Sequence, residues 1–530
     1  MEMNKIDLPN PVPIFRGAVQ KATYKQQLVP RYRTNPAIEA LPLILSAADS
    51  AKLLAYYPEL VPNAQELSPE IRMHLIMDAL HFVQPLPIHI ELEQRVSRII
   101  RDSYVGRDPL AKDHWINLDQ SVSAILKNGG IPMPNSNVNG FSIIGIPGVG
   151  KTTGIERVLL LTPQVIHHES YAGKPFNRIQ LAWVKLTCPH DGSVKALCLE
   201  FFRVVDGVLD TRYFRDYAGE GRRTVDELIA NMWRVAWIHC LGLLVIDEIQ
   251  HLNQAKSGGA EKMLNFFLQL MNTLGVPIMT IGTFAAMELF QRGLRQIRRS
   301  CGQGDLVWDA MPNDDVWRLL IESLWKFQYT RFPVPLTQEF IDALHFESAG
   351  IVDFAVKIFL LAQARAIATG TERITLAIIR SVAKDSLRLA QPALHAIRTG
   401  DMSNVSLMSD LHPIDFVSAV RQIRKTVLLQ TLSEGSYAAS DVNAKGTVPP
   451  ATGINGGEVM AVEPAQPLPA QSVRQPPKPR RPKSPPSSSK CLLVQQVDAG
   501  VSKGMSPHDA LGQAGLIQPL FKFQLSPATA

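Results

Sequence analysis

Residues 141–153 read FSIIGIPGVGKTT. Phe141 to Ile144 has the composition of a buried strand, and it leads into Gly145, Ile146, Pro147, Gly148, Val149, Gly150, Lys151, Thr152 and Thr153. The spacing G-x-x-x-x-G-K-T, set between a strand and a run of helix formers, is that of a phosphate-binding P-loop. Glycines let successive backbone N–H groups turn toward anionic oxygens, and the following helix adds the positive end of its dipole. Lys151 can reach β- and γ-phosphates, and the Thr152 hydroxyl can ligate Mg²⁺.

A second stretch completes the chemistry. Leu243-Leu244-Val245-Ile246-Asp247-Glu248 is an apolar strand that ends in two carboxylates. Asp247 is expected in the Mg²⁺ shell through water, and Glu248 is expected to orient and deprotonate an attacking water. At single-domain separation from a P-loop, the pair predicts binding and hydrolysis of a nucleoside triphosphate. The segments between follow the same logic. Gln180–Leu186, Leu243–Ile246 and Val276–Ile281 read as buried strands, with helices at Gly192–Val208 and Gly258–Leu274. That alternation predicts a parallel sheet covered on both faces. The strand running from Pro277 ends at Thr283, either an ordinary strand-end threonine or a side chain that senses the γ-phosphate.

Composition excludes several classes. With 530 residues, 46% of them hydrophobic and 19% charged, the chain is a globular protein of two or three domains. It holds no uninterrupted apolar run long enough to span a membrane, and its start, MEMNKIDLPNP, lacks a secretory core. The five scattered cysteines have no metal-ligand spacing and suit a reducing compartment. A formal net charge of +6 permits a nucleic-acid partner without requiring one.

The flanking regions are helical, then not. Met1 to about Leu28 reads as an arm. Short helical patterns alternate with prolines from Pro36, for example at Ser68-Pro69-Glu70, and Glu91–Ile100 is amphipathic. After Met311 the pattern is wholly helical: Trp317–Phe327, Gln338–Ser348, Gly350–Gly370 and Ile374–Arg388. Between core and helices lies Leu294-Arg295-Gln296-Ile297-Arg298-Arg299. These arginines suit a solvated helix face, a DNA backbone, or a finger at Arg298 or Arg299 reaching a neighbouring subunit's γ-phosphate. Beyond about Leu432 the chain turns Ala-, Gly-, Ser- and Pro-rich, then basic, and is expected to be disordered. Its role is either a solvated linker or a binder of DNA phosphates. The apolar end LIQPLFKFQL, 516–525, is either a docking peptide or a frayed terminus.

These residues resemble the TnsC family, AAA+ regulators that connect target DNA to the transposase in Tn-seven-type transposons. The match is carried by YRTNPAIEALP (32–42), YVGRDP (104–109), the P-loop and LGLLVIDEIQHL (241–252). SGG (257–259) followed by MLNFF (263–267), the Gly275–Thr283 strand, Leu294–Arg299 and Gly350–Lys357 add to it. It covers about Arg31 to Gly400, and the tail does not share it.

The resemblance implies an α/β fold: an AAA+ P-loop NTPase core (104–310), a C-terminal helical lid (311–400) and a mostly helical N-terminal region (1–103). Beyond the reach of the resemblance, a helical extension (401–432) and, by composition, a disordered tail (433–530) are expected. In the AAA+ class an apolar-x-Gly-Arg element packs on adenine, which makes Tyr104, Val105 and Arg107 candidates beside the reading of YVGRDP as a plain turn. An arginine normally reaches the phosphates from the lid; here the corresponding stretch lacks one, and Lys357 is the substitute candidate. The resemblance further implies ATP and Mg²⁺ as cofactors and a cytoplasmic, nucleoid-associated bacterial protein. It would form a ring or filament on double-stranded DNA, with a target-selection protein, the transposase and its nuclease partner as further partners. Two other classes stay open, an AAA+ loader or remodeller of protein substrates and a scaffold that binds nucleotide without turnover. Intact Lys151, Asp247 and Glu248 count against the scaffold.

Overall fold

Strand β1 (Val19–Lys21) and helices α1 (Pro36–Glu39), α2 (Ala47–Leu54), α3 (Pro69–Asp78) and α4 (Pro87–Val105) come first in a computed structural model of the protein. It describes residues 14–110, 140–254, 276–286, 304–399, 418–421 and 423. The helix expected at Gly258–Leu274, Arg298, Arg299, the tail and its 516–525 end lie outside these residues. Local chemistry starts the helices. The Asn35 side chain accepts from the Ala37 N–H, and Ser46 accepts from that of Asp49. Leu92, Val96, Ile99, Ile100 and Tyr104 share the buried face of α4 at helical spacing.

The core follows: β2 (Phe141–Gly145), α5 (Lys151–Leu160), β3 (Val165–Tyr171), β4 (Lys174–Leu181) and β5 (Trp183–Thr187). Next come α6 (Val194–Leu209), α7 (Tyr213–Asp216), α8 (Val225–Ile238), β6 (Leu243–Asp247), β7 (Ile278–Gly282) and β8 (Leu306–Trp308). A five-stranded sheet runs in the order β5-β6-β7-β2-β8, parallel throughout. Every residue of β2, β6 and β7 is buried, which is why they read as unbroken apolar runs rather than alternating ones. This is the AAA+ P-loop NTPase fold.

One expected strand is corrected. Gln180–Leu186 is not continuous: the chain breaks at Ala182, leaving β4 in one sheet and β5 in another. β4 pairs antiparallel with β3, a hairpin the sequence did not announce, and β5 pairs parallel with β6. Residues 180–184 are buried on both sides of the break, so burial alone could not show the change of partner. The described part of the arm, from residue 14, packs on the core. Its Val19–Lys21 adds a parallel strand to β3, and Phe15 packs on Trp183 with ring centroids 5.5 Å apart.

The lid consists of α9 (Asp315–Trp325), α10 (Gln338–Ser348), α11 (Val352–Ala368), α12 (Leu376–Ser386) and α13 (Gln391–Thr399). The N-terminal helices are tied to it by a buried ion pair. Arg72, fully buried on α3, forms two 2.6 Å hydrogen bonds with Glu372 between α11 and α12, and donates to the Tyr329 and Leu67 carbonyls at 3.0 Å. Arg72→Met is expected to lower unfolding stability by about 3 kcal/mol, because it strands a carboxylate and two carbonyls. A denaturant titration that leaves the midpoint unchanged would refute this. The same bonds hold the Glu372 carboxyl below its usual range. That contribution is therefore present above the ordinary glutamate range and is lost as pH falls through the depressed value.

Candidate nucleotide-binding site

Parallel pairing aligns the C-terminal ends of β2, β6 and β7, so the turns after them open on one crevice. The P-loop leaves β2 at Gly145, where a Cβ would fall 1.8 Å from the Trp308 carbonyl oxygen of β8. Only glycine permits that approach. Gly150 begins α5 with φ of +101°, a left-handed conformation, and a Cβ there would meet nothing within 4 Å. Lys151 is buried, and its Nζ donates to the Gly145 and Ile146 carbonyls at 2.9 and 2.8 Å. Burial pushes this ammonium down to about 8, against the opposing pull of Glu248 and Asp247.

The two motifs meet. Thr152 Oγ1 donates to Asp247 Oδ2 at 3.0 Å across 95 residues of chain. Asp247 is almost fully buried, and its Oδ1 accepts the Glu248 N–H at 2.9 Å. Glu248 sits at φ +60°, a strained conformation for a residue with a side chain. Its carboxylate accepts from Gln250 Nε2, and Gln250 Oε1 accepts the Thr283 N–H at 3.2 Å. One amide thus joins the expected base to the β7 tip. Lys185 of β5 adds a cation, its Nζ 2.8 Å from Glu156 Oε1 on α5 and 3.3 Å from Asp247 Oδ2.

The lid touches the loop directly. The Asp353 N–H on α11 donates to the Gly148 carbonyl at 3.1 Å. Lys357, one turn further on, pairs with Asp353 at 2.8 Å, so it lies near the loop and is held by a carboxylate.

Tyr104, Val105 and Arg107 are not brought to the phosphate end. Tyr104 Oη donates to the Cys240 carbonyl at 2.8 Å and Arg107 Nη2 to that of Leu241 at 2.8 Å. Both partners precede β6, whereas Asp247 ends it. Five residues of strand span about 16 Å. Tyr104 and Arg107 are buried seam residues, and Val105 is exposed. Sequence reasoning gave no role to Gln250, Lys185 or Glu156. The available signal was a lone lysine inside the apolar run LAWVKL, where a charge needs a partner.

Residues 139–290 match the AAA domain family. The solved structures to which the chain is similar are distant in sequence. Aeropyrum pernix ORC1 in complex with DNA is 16% identical with a TM-score of 0.34, over 53% of this chain and 67% of that one. The ADP form of Aeropyrum pernix ORC2 is 11% identical with a TM-score of 0.34, over 61% and 85%. The Thermotoga maritima RuvB Holliday junction branch migration motor is 14% identical with a TM-score of 0.27, over 60% and 87%. No curated protein sequence matches. No helix among the described residues is long and apolar enough to cross a membrane.

The donor set of the AAA domain fits Mg²⁺. Among the described residues no cluster of three or more His, Cys, Asp or Glu gathers, and the crevice instead offers a hydroxyl and a carboxylate side by side. Hard oxygen donors in small number, completed by substrate phosphates and water, are what Mg²⁺ takes.

Proposed function

We propose that the protein is an ATPase whose nucleotide state controls its assembly on duplex DNA, and that it regulates transposition in the manner of the TnsC family. The observation that carries the nucleotide part is the 3.0 Å contact between Thr152 and Asp247, which joins two motifs far apart in sequence at the mouth of one crevice. The transposition part is supported by the IDEIQHL and SGG…MLNFF stretches and by the YRTNPAIEALP segment.

In this reading Lys151 exchanges its two carbonyl partners for β- and γ-phosphate oxygens. Thr152 and Asp247 hold Mg²⁺, which when bound neutralises charge on the transferring phosphoryl group. Glu248 takes a proton from the attacking water, with Gln250 setting the direction of its carboxylate. Thr283, tied to Gln250 through its own N–H, marks the γ-phosphate end. Arg298 or Arg299 of a neighbouring subunit supplies the remaining positive charge, so turnover requires assembly. ATP holds the oligomer on DNA and hydrolysis releases it, a population shift driven by differential affinity.

The test is affinity for random duplex DNA with and without ATP across a salt series. Binding should need ATP and fall with a log–log slope of about 0.9 per phosphate neutralised. Absence of ATP-dependent DNA binding at low salt would overturn the reading in favour of a loader or remodeller of protein substrates.

A further inference from the structure

Asp247 carries the expected Mg²⁺-facing carboxylate, yet protein groups already engage both of its oxygens. Oδ1 accepts the Glu248 N–H at 2.9 Å, and Oδ2 accepts the Thr152 hydroxyl at 3.0 Å and lies 3.3 Å from Lys185 Nζ. The lysine is nearly buried, on the strand beside β6, and it has a second carboxylate within reach, Glu156 at 2.8 Å. Glu156 projects from α5, the helix that the P-loop starts, and is the more exposed of the two carboxylates. Desolvation opposes the charge on Lys185, but Glu156 and Asp247 outweigh it and its pKa is raised. The Phe15 ring of the arm also faces the ammonium, with Nζ 5.7 Å from the ring centroid. The lysine is therefore walled in, with two anions to choose between.

We propose that Lys185 is a built-in competitor of Mg²⁺ for Asp247, with Glu156 as its alternative seat. This rests on the nucleotide-site reading above and deepens it. A cation that approaches Asp247 must displace the charge already shared there. Glu156 keeps that displacement modest by taking the whole ammonium. The arrangement makes the site demand Mg²⁺ together with nucleotide phosphates and resist Mg²⁺ alone, since only the pair offers enough to move the lysine. Lys185 is a positioning residue here. It acts through Asp247 and touches no substrate in this account.

The two carboxylates make opposite predictions. In Lys185→Met the Mg²⁺ concentration that gives half-maximal binding of a fluorescent ADP analogue to the full chain is expected to fall about tenfold, since one adjacent positive charge no longer opposes the ion. In Glu156→Gln the lysine has only Asp247 to hold, and the same midpoint is expected to rise. In the double variant, Glu156→Gln should add nothing to Lys185→Met, because the glutamate acts through the lysine. Unchanged midpoints in the single variants, or an effect of Glu156→Gln that persists at full size without Lys185, would overturn the proposal. Should Lys185→Met melt early by circular dichroism, Glu156→Gln alone decides through the direction of its shift. A wild-type chain that binds no analogue at saturating Mg²⁺ is a different result, one that removes the nucleotide-site reading itself.

Discussion

Lys151→Ala is expected to weaken nucleotide affinity by about 10²-fold or more, as two charge-assisted hydrogen bonds to phosphate are lost. The substitution also removes the one buried cation that the P-loop holds at its own carbonyls. Because that contact closes a loop and not the core, thermal stability should change little, which separates a binding defect from unfolding. DNA assembly should disappear with nucleotide binding if the two are coupled. A pH signature accompanies this. Burial holds the ammonium down to about 8 in the protein alone. For a lysine with a depressed pKa, the cost of keeping it charged is fully present below about 8 and fades as pH rises toward its ordinary value. Phosphate oxygens restore the charge, so nucleotide binding near pH 8 to 9 should take up a proton. Calorimetry in buffers of different ionisation enthalpy measures that uptake. Normal affinity in the alanine variant would contradict the P-loop role of Lys151.

Glu248→Gln is expected to leave ATP binding near the wild-type level while turnover falls by about 10²–10⁴-fold, the range for loss of a positioned general base. Its geometry favours a clean test. The backbone at φ +60° and the contact to Gln250 fix where the carboxylate sits, and glutamine keeps the shape while losing basicity. Oligomers on DNA should then outlive those of the wild type, since release depends on hydrolysis. Single-turnover assays and dissociation kinetics supply the two readouts. Wild-type turnover in this variant would move the base elsewhere.

How much of this was legible in the chain depends on what each residue has to satisfy. The P-loop and the strand ending in Asp247 and Glu248 were readable because phosphate and metal chemistry leaves few residue choices at fixed spacing. Four of the five lid helices were readable by periodicity: Gln338–Ser348 agrees at both ends, three others agree within a few residues, and Gln391–Thr399 was not expected. The break at Ala182 was not readable. Residues 180–184 are buried on both sides of it, and only the ladder partners, β3 for β4 and β6 for β5, reveal two sheets. Tyr104 and Arg107 show how a sequence pattern can hide a packing role, since the Cys240 and Leu241 carbonyls before β6 take their polar atoms. Lys185 and Gln250 were missed because each gains meaning only from a partner distant in sequence.

The proposal that nucleotide occupancy and self-assembly on a double helix are a single event is tested most directly by specific ATPase rate against protein concentration, with and without duplex DNA. The expected rate per subunit rises steeply with concentration and with DNA, as copies complete one another's sites. A chain that stays monomeric and turns over ATP at a constant, maximal rate per subunit would contradict it.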